Sequence, residues 1–153
     1  MARFLTAAGL YASKGRERVL ALVAALPEEA QAAAVESAVA RAEDLFLSIV
    51  TSRYADDDLP TTPAATHPLI AGQVADVAYH RLEADHSDLT SEAAERVRSQ
   101  AVAHWRDVAA GRANLVLPGR PPVDDTRADV YVEHRQPTRV FDREGLLRDV
   151  VRI

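Results

Sequence analysis

The apolar residues before position 111 recur at helical spacing, and this pattern predicts a series of amphipathic helices. Thr6 is placed to cap a short first helix that runs to about Ser13 and is broken by Gly15. Residues 16–26 are apolar enough for a second helix, and residues 27–54 predict the longest one. In the longest helix the apolar residues recur at spacings of four and three, which indicates one buried seam. The seam consists of Val35, Val39, Ala42, Phe46 and Ile49.

Two more helices are predicted after a polar loop. The loop, ADDDLPTTPAATHP at 55–68, has three consecutive acids that repel one another and prolines that withhold backbone donors. Pro68 stands where the fourth helix begins, and this helix runs to about Glu83. Thr90 is placed to cap a fifth helix, which Gly111 closes. The apolar residues of the fourth helix are Ile70, Val74, Val77 and Leu82, and the predicted inner face of the fifth is Ala94, Val97, Ala101, Trp105 and Val108. Within the whole bundle, Phe46, Ile49, Val77 and Trp105 are expected to be deeply buried.

The predicted fold is mainly α: a four- or five-helix bundle at 1–111 with an extended C-terminal arm at 112–153. The arm is rich in proline and contains a short candidate β segment, VYVEH at 130–134, and a candidate terminal helix, FDREGLLRDVV at 141–151. A chain of 153 residues is long enough to bury the core of one domain without metal or disulfide staples. At the start of the arm, Leu115 and Leu117 alternate around Val116.

Composition and charge exclude several classes of protein. Cysteine is absent, which excludes disulfide frameworks, thiol nucleophiles and cysteine-zinc sites. The longest apolar runs fall far short of the ~20 residues that a bilayer-spanning helix needs, so no membrane insertion is expected. Residues 1–26 hold four basic groups and one acid, residues 27–111 hold six and fifteen, and residues 112–153 hold eight and seven. An acidic bundle argues against tight nucleic-acid binding, which needs clustered Lys and Arg, and leaves a regulatory DNA-binding protein as a weak alternative.

One candidate metal site lies in the fourth helix. Asp76, His80 and Glu83 stand at i, i+4 and i+7 on one helical face, and such carboxylate-histidine sets bind metals inside bundles. The facing helices lack a second Glu-x-x-His set, so a solvated polar face is the favoured interpretation and a metal-binding bundle an alternative. The acids Asp56–Asp58 lack the spacing of a calcium loop and are interpreted as a solvated loop. No phosphate-binding or nucleophile motif occurs, so neither catalysis nor a cofactor is expected.

Three stretches resemble, in their order and spacing, the head-tail connector (adaptor) proteins of Mu-like tailed phages and prophages, the Mu Gp36-like family. These stretches are SRYADDDLP at 52–60, HWRDVAAGRANLVLP at 104–118 and RVFDREGLLRDV at 139–150. The chain departs from the family pattern in two places. The link between Arg-Tyr and Leu-Pro is longer, which indicates an enlarged surface loop. Arg106 follows Trp105 where the family usually has an apolar residue, which indicates a more polar helix position.

The resemblance implies a structural virion protein that forms a ring of twelve copies under the capsid portal, joins head to tail and continues the DNA channel. Its implied partners are the portal protein, other copies of itself, and stopper or tail-completion proteins, and DNA passes through without specific binding. Its implied location is the neck of the virion after assembly in the host cytoplasm, without membrane association. The acidic bundle agrees with a conduit, because negative charge repels phosphate. The alternative is another head or tail completion ring, either a stopper or a tail-completion protein.

The sequence PTRVFDREGLLRDVVRI at 137–153 predicts a docking segment. Full burial of its large apolar side chains is worth on the order of 10 kcal/mol before ordering costs, so they are expected to contact another surface. The proline-rich residues 118–127 supply reach, which favours docking on the portal or on a neighbouring copy. Packing back on its own bundle is the alternative. The candidate partner-binding residues are Arg139, Val140, Phe141, Arg143, Leu146, Leu147 and Val150.

Overall fold

The computed structural model describes residues 2–87 and 91–117, and in these ranges the chain is mainly α-helical and contains no strand. The helices are α1 (Ala7–Lys14), α2 (Arg16–Val23), α3 (Glu28–Val50), α4 (Pro68–His86) and α5 (Glu92–Ala109). Two short 3-10 turns, Asp56–Asp58 and Pro63–Ala65, interrupt the loop between α3 and α4. The predicted helical bundle is confirmed. The candidate strand at 130–134 and the candidate terminal helix lie outside the described residues, and the division between bundle and arm stays a prediction.

Capping side chains and one glycine set several helix ends. The Thr6 hydroxyl accepts a hydrogen bond from the Gly9 amide at 3.0 Å, as its position predicted. Gly15 separates α1 from α2 with a φ of 87°, a left-handed conformation that glycine adopts without strain. The predicted cap of α5 is wrong by one residue, because the Ser91 hydroxyl accepts from the Ala94 amide at 3.2 Å.

The predicted ends of three helices are also wrong by a few residues. α3 stops early where the hydroxyls of Thr51 and Ser52 donate to carbonyls of its last turn, at 2.7 and 2.8 Å, and such bonds compete with further helical ones. α2 also ends earlier than predicted, whereas α4 continues further. The observed last residues are Val23, Val50 and His86, against predicted ends near 26, 54 and 83.

The buried apolar side chains form one continuous core, in which α3 and α4 each contact all the other helices. Three aromatic rings pack edge to face within this core. The ring centroid of Phe46 lies 5.0 Å from that of Phe4 and 5.2 Å from that of Trp105. The indole N–H of Trp105 donates to Gln73 Oε1 at 2.8 Å, so the polar atom of this buried ring is paired. The predicted deep burial of Phe46, Val77 and Trp105 is confirmed.

The predicted deep burial of Ile49 is wrong. Ile49 is only partly buried, whereas the adjacent Val50 is fully buried. Ala94 and Val97, on the predicted inner face of α5, are partly buried as well. Adjacent helical positions differ by about 100° in direction, so both Ile49 and Val50 border the seam. The elements packed beside α3 decide which of the two is covered.

The N-terminal residues are held against α3 by a buried carboxylate. Glu43 is 6% exposed, and its Oε1 accepts hydrogen bonds from the amides of Phe4 and Leu5 at 2.6 and 2.9 Å. The Arg3 amide donates to the same oxygen at 3.0 Å. A buried charge needs such partners, because an unpaired one would pay the full cost of lost hydration. Glu43 thereby fixes an extended segment that brings Phe4 and Leu5 into the core.

Candidate functional site

The chain leaves α5 through a tight turn that begins the exit segment, residues 112–117. Gly111 has a φ of 77°, a left-handed conformation in which a side chain would be strained. The amides of Arg112 and Ala113 both donate to the Asp107 carbonyl, at 2.8 and 3.2 Å. These bonds satisfy a carbonyl that the helix end leaves without an intrahelical partner. The prediction that Gly111 closes the fifth helix is confirmed.

Two residues that follow α3 fix the exit segment. The Arg53 guanidinium donates to the Ala113 carbonyl at 2.7 Å and to Asn114 Oδ1 at 2.9 Å, and it also donates to a carbonyl in the last turn of α5. The Tyr54 hydroxyl accepts a hydrogen bond from the Leu115 amide at 3.2 Å. Because a guanidinium carries several donors in one plane, Arg53 can hold both the helix end and the chain beyond it. We call this set of five residues the Arg53 clamp: Arg53, Tyr54, Ala113, Asn114 and Leu115.

Side chains of the exit segment, in which the sequence showed an apolar alternation without assigning it to the core, alternate between core and surface. Leu115 and Leu117 are each 8% exposed, and Val116 between them is 48% exposed. The exit segment is therefore held on the bundle by apolar burial as well as by hydrogen bonds. The predicted partner-binding residues, Arg139 to Val150, lie outside the described residues.

The acidic loop after α3 is tied to the N-terminal residues. The Arg3 guanidinium donates to the Pro60 carbonyl at 2.7 Å and pairs with the Asp56 carboxylate at 2.6 Å. Asp56 is 66% exposed, as expected for a solvated loop, but it also serves as an anchor. Arg3 thus joins the first part of this loop, from Asp56 to Pro60, to the N-terminal residues.

The candidate metal ligands of α4 contact three different partners and do not converge. Asp76 forms an ion pair with the lysine of α1, and His80 Nε2 lies 2.6 Å from Glu95 Oε2 of α5. Glu83 is buried and accepts hydrogen bonds from the Ser91 amide and hydroxyl at 2.9 and 3.2 Å. In the described part of the chain, no group of three or more His, Cys, Asp or Glu residues is suited to hold a metal ion. The expectation of a solvated face is wrong for Glu83, which instead holds the cap of α5.

The contact between α4 and α5 perturbs one carboxyl group. The hydrogen bond from the Ser99 hydroxyl lowers the pKa of Glu95. Desolvation raises it, and the interactions with Arg98 and His80 lower it further. Ser99 Oγ and an Arg98 guanidinium nitrogen lie 3.0 and 3.2 Å from Glu95 Oε1. Since the Glu95 side chain is half-exposed, solvent screens these interactions and they add little to stability.

Comparison with known proteins identifies the family. The family described as Bacteriophage Mu, Gp36 matches residues 4–133, which is most of the chain. The chain belongs to the bacteriophage Mu Gp36 family. No curated protein and no solved structure matches it. Membership of this family indicates a phage structural protein, associated with the virion, and favours a role other than catalysis. No helix in the described ranges is long and apolar enough to cross a bilayer.

The family match covers two of the three stretches that carried the resemblance. It includes 52–60 and 104–118 and ends before 139–150. The Arg53 clamp joins these two matched stretches, so residues far apart in the sequence meet at the start of the exit segment. Arg106, which departs from the family pattern, is exposed, as the sequence indicated for a more polar position.

Periodicity alone missed the residues that fix the chain ends. Glu43 stands four residues after Val39 on the apolar side of α3, and a carboxylate there was a signal that polar donors lie nearby. Arg53 gave no such signal, because it follows the helix and its acceptors lie 55 to 61 residues further along the chain. The family stretch SRYADDDLP included Arg53 without indicating what it contacts.

Proposed function

We propose that this chain is the subunit of a head-tail connector (adaptor) ring that binds beneath the capsid portal of a Mu-like phage. The ring joins head to tail and continues the DNA channel. The observation that carries the proposal is the Arg53 clamp, which joins the two matched family stretches where the chain leaves the bundle. A connector subunit needs a rigid body for the ring and a segment that leaves this body at a defined point to reach a partner.

The clamp supplies that defined point. It holds Ala113, Asn114 and Leu115 by hydrogen bonds, and Leu117 is buried two residues later. The effective concentration of a tethered segment at its binding site depends on where the tether starts and how long it is. A fixed start at Leu117 therefore favours one docking position for the residues from Arg139 onwards.

The charge of the bundle supports a conduit for DNA. Residues 27–111 hold six basic and fifteen acidic residues, and the basic Arg53 is engaged in contacts within the bundle. Acids along a channel repel phosphate groups and give DNA no fixed site, whereas clustered basic residues would retain it. In this proposal DNA passes through the ring without specific binding.

The proposed partners follow from the position of the ring. The residues Arg139 to Val150 dock on the portal or on a neighbouring copy, other copies complete a ring of twelve, and a stopper or tail-completion protein binds the opposite side. The ring assembles in the host cytoplasm and becomes part of the virion neck.

Deletion of residues 137–153 tests the proposal. The truncated chain is expected to keep its melting temperature and to lose co-sedimentation with purified portal rings. The variants Phe141→Ser and Leu69→Ser form a matched pair, because Leu69 is an apolar residue that is 47% exposed on α4. Phe141→Ser is expected to weaken portal binding, and Leu69→Ser is expected to leave it unchanged.

Two results would contradict this assignment. A truncated chain that unfolds, or a Phe141→Ser variant with a clearly lower melting temperature, would mean that the segment packs on its own bundle. A full-length chain that binds the tail or a connector ring but not the portal would favour a stopper or tail-completion protein.

A further inference from the structure

Two grooves with different chemistry lie along α3. The arginine groove, between α3, α4 and α5, has a volume of about 400 Å³. The second groove, between α3 and the N-terminal residues, has a volume of about 620 Å³ and is lined by small residues and glutamates. The arginine groove has the apolar residues Ala42, Leu45 and Val77 together with Arg41, Arg81 and Arg98. The residues of α3 that line the exposed edge of the second groove include Ala33, Glu36 and Ala40.

The arginine groove concentrates positive charge on an acidic body. Of the six basic residues in 27–111, three line this groove. Arg41 and Arg81 both pair with Asp85, at 3.3 and 3.2 Å, and Arg98 pairs with Glu95 at 3.2 Å. These are surface pairs of low energy, and each guanidinium has more N–H donors than such a contact uses. The groove therefore combines guanidinium N–H donors with apolar side chains. This combination suits a partner surface that packs closely and carries carboxylates.

The other flank of α3 presents such a surface. Glu29, Ala33, Glu36 and Ala40 follow one another at i, i+4, i+7 and i+11, and all four are exposed. We call these four residues the acidic stripe. Neither of its glutamates has an ion-pair partner within residues 2–87 and 91–117. The alanines protrude little, so another body can approach the helix closely while the glutamates reach out to its donors.

We infer that the acidic stripe of one copy seats in the arginine groove of the next copy. At about 100° per residue, Arg41 and Leu45 are rotated by about 100–180° around α3 from Glu36 and Ala40. The contact thus joins two different patches on different sides of each subunit. Such a heterologous contact leaves one unoccupied patch at each end of the assembly. Further copies can therefore add until the two ends meet and the assembly closes into a ring.

The second copy is the favoured occupant because the same chain carries both complementary surfaces. Opposite charges across the contact also favour this register over an arrangement that places two acidic stripes together. The inference rests on the proposed connector function only for the closure of a ring. Self-association itself is measurable without a portal.

A charge exchange between two variants tests the contact. Arg81→Glu alters the groove and Glu36→Arg alters the stripe, and both side chains lie at the surface, so circular dichroism melts should match the wild type. In sedimentation velocity, the full-length wild-type chain is expected to associate, and more weakly as salt rises. Each variant alone is expected to associate at least about 10-fold more weakly, since like charges then face each other.

The mixture of the two variants gives the decisive result. Each copy then finds a complementary partner: the acidic groove of one variant meets the basic stripe of the other, and the unaltered patches match as well. We expect association to recover on mixing. Arg18→Glu and Glu17→Arg, on α2 and outside both grooves, are matched controls that should leave association unchanged. If Arg81→Glu lowers the melting temperature, Arg41→Glu replaces it.

Three outcomes would overturn the inference. One is a wild-type chain that stays monomeric at roughly 1 mM in low salt. Another is a pair of charge reversals that leave association unchanged. The third is a mixture that does not recover. A chain that binds the portal but does not associate with itself would refute this contact and leave the proposed connector function standing.

Discussion

Replacement of Trp105 by alanine is the most direct test of how the bundle is packed. The Trp105 side chain is fully buried, its ring centroid lies 5.2 Å from that of Phe46 in an edge-to-face contact, and its indole N–H donates to Gln73. The substitution removes the ring, the aromatic contact and the donor at once. All three losses act on the place where α3, α4 and α5 meet.

The expected loss of stability is about 4 kcal/mol. Truncation of a buried aromatic residue to alanine costs about 3–5 kcal/mol, because transfer energy is lost and a cavity remains. This range includes the aromatic contact with Phe46, and water can reach the Gln73 amide, because its bond to Trp105 is only partly buried. Trp105→Phe keeps a ring in place and is expected to cost roughly 1–2 kcal/mol for the lost hydrogen bond and volume.

Urea unfolding followed by circular dichroism measures these differences. Fluorescence is unsuitable for the variants, because Trp105 is the single tryptophan of the chain. Val116→Ala serves as a control, since Val116 is 48% exposed and its truncation should change stability by less than about 0.5 kcal/mol. A Trp105→Ala variant within about 1 kcal/mol of the wild type, with an unchanged denaturant slope, would refute the described packing.

Three further predictions concern single contacts. Glu43→Gln is expected to destabilise the bundle by roughly 2–4 kcal/mol, because an amide holds the N-terminal amides less strongly than a carboxylate, and unchanged hydrogen exchange at those amides would contradict it. Gly111→Ala, at a φ of 77°, is expected to lower the free energy of unfolding by roughly 1–2 kcal/mol. Gly72→Ala, in a helix with open space around the added carbon, is expected to raise it by up to about 1 kcal/mol. Equal changes in the two variants would contradict the backbone conformations of these glycines. The pKa of Glu95 is lowered from 4.5, so its stabilising contribution is present above that pH and is lost as the pH falls further. Melting temperatures of wild type and Glu95→Gln should therefore differ slightly at pH 7 and converge as the pH falls well below 4.5, and a difference that does not shrink on acidification would contradict this contribution.

The sequence by itself determined the features that depend on neighbours within a few residues. Thr6 caps α1, Gly15 and Gly111 end helices, and the four-and-three spacing of α3 identifies its buried side. The alternation of Leu115 and Leu117 around Val116 is likewise local, although the sequence did not show that these leucines reach the core. Capping bonds, left-handed glycines and helical phase are local, so a short stretch of sequence contains the groups that decide them. The family stretches added the coarse function, a phage structural protein, which the periodicity did not contain.

Tertiary structure decided every feature in which the partner is distant in the sequence. Ile49 and Val50 border the same seam, and only the surrounding elements determine that Val50 is the one covered. Glu83 reads as a surface acid on its own helix but is buried beneath the cap of α5, where it satisfies Ser91. Arg53 finds its acceptors more than fifty residues away. A charged side chain is stable inside a bundle only where hydrogen-bond partners lie within reach. When these partners are distant in the sequence, only the tertiary structure brings them close.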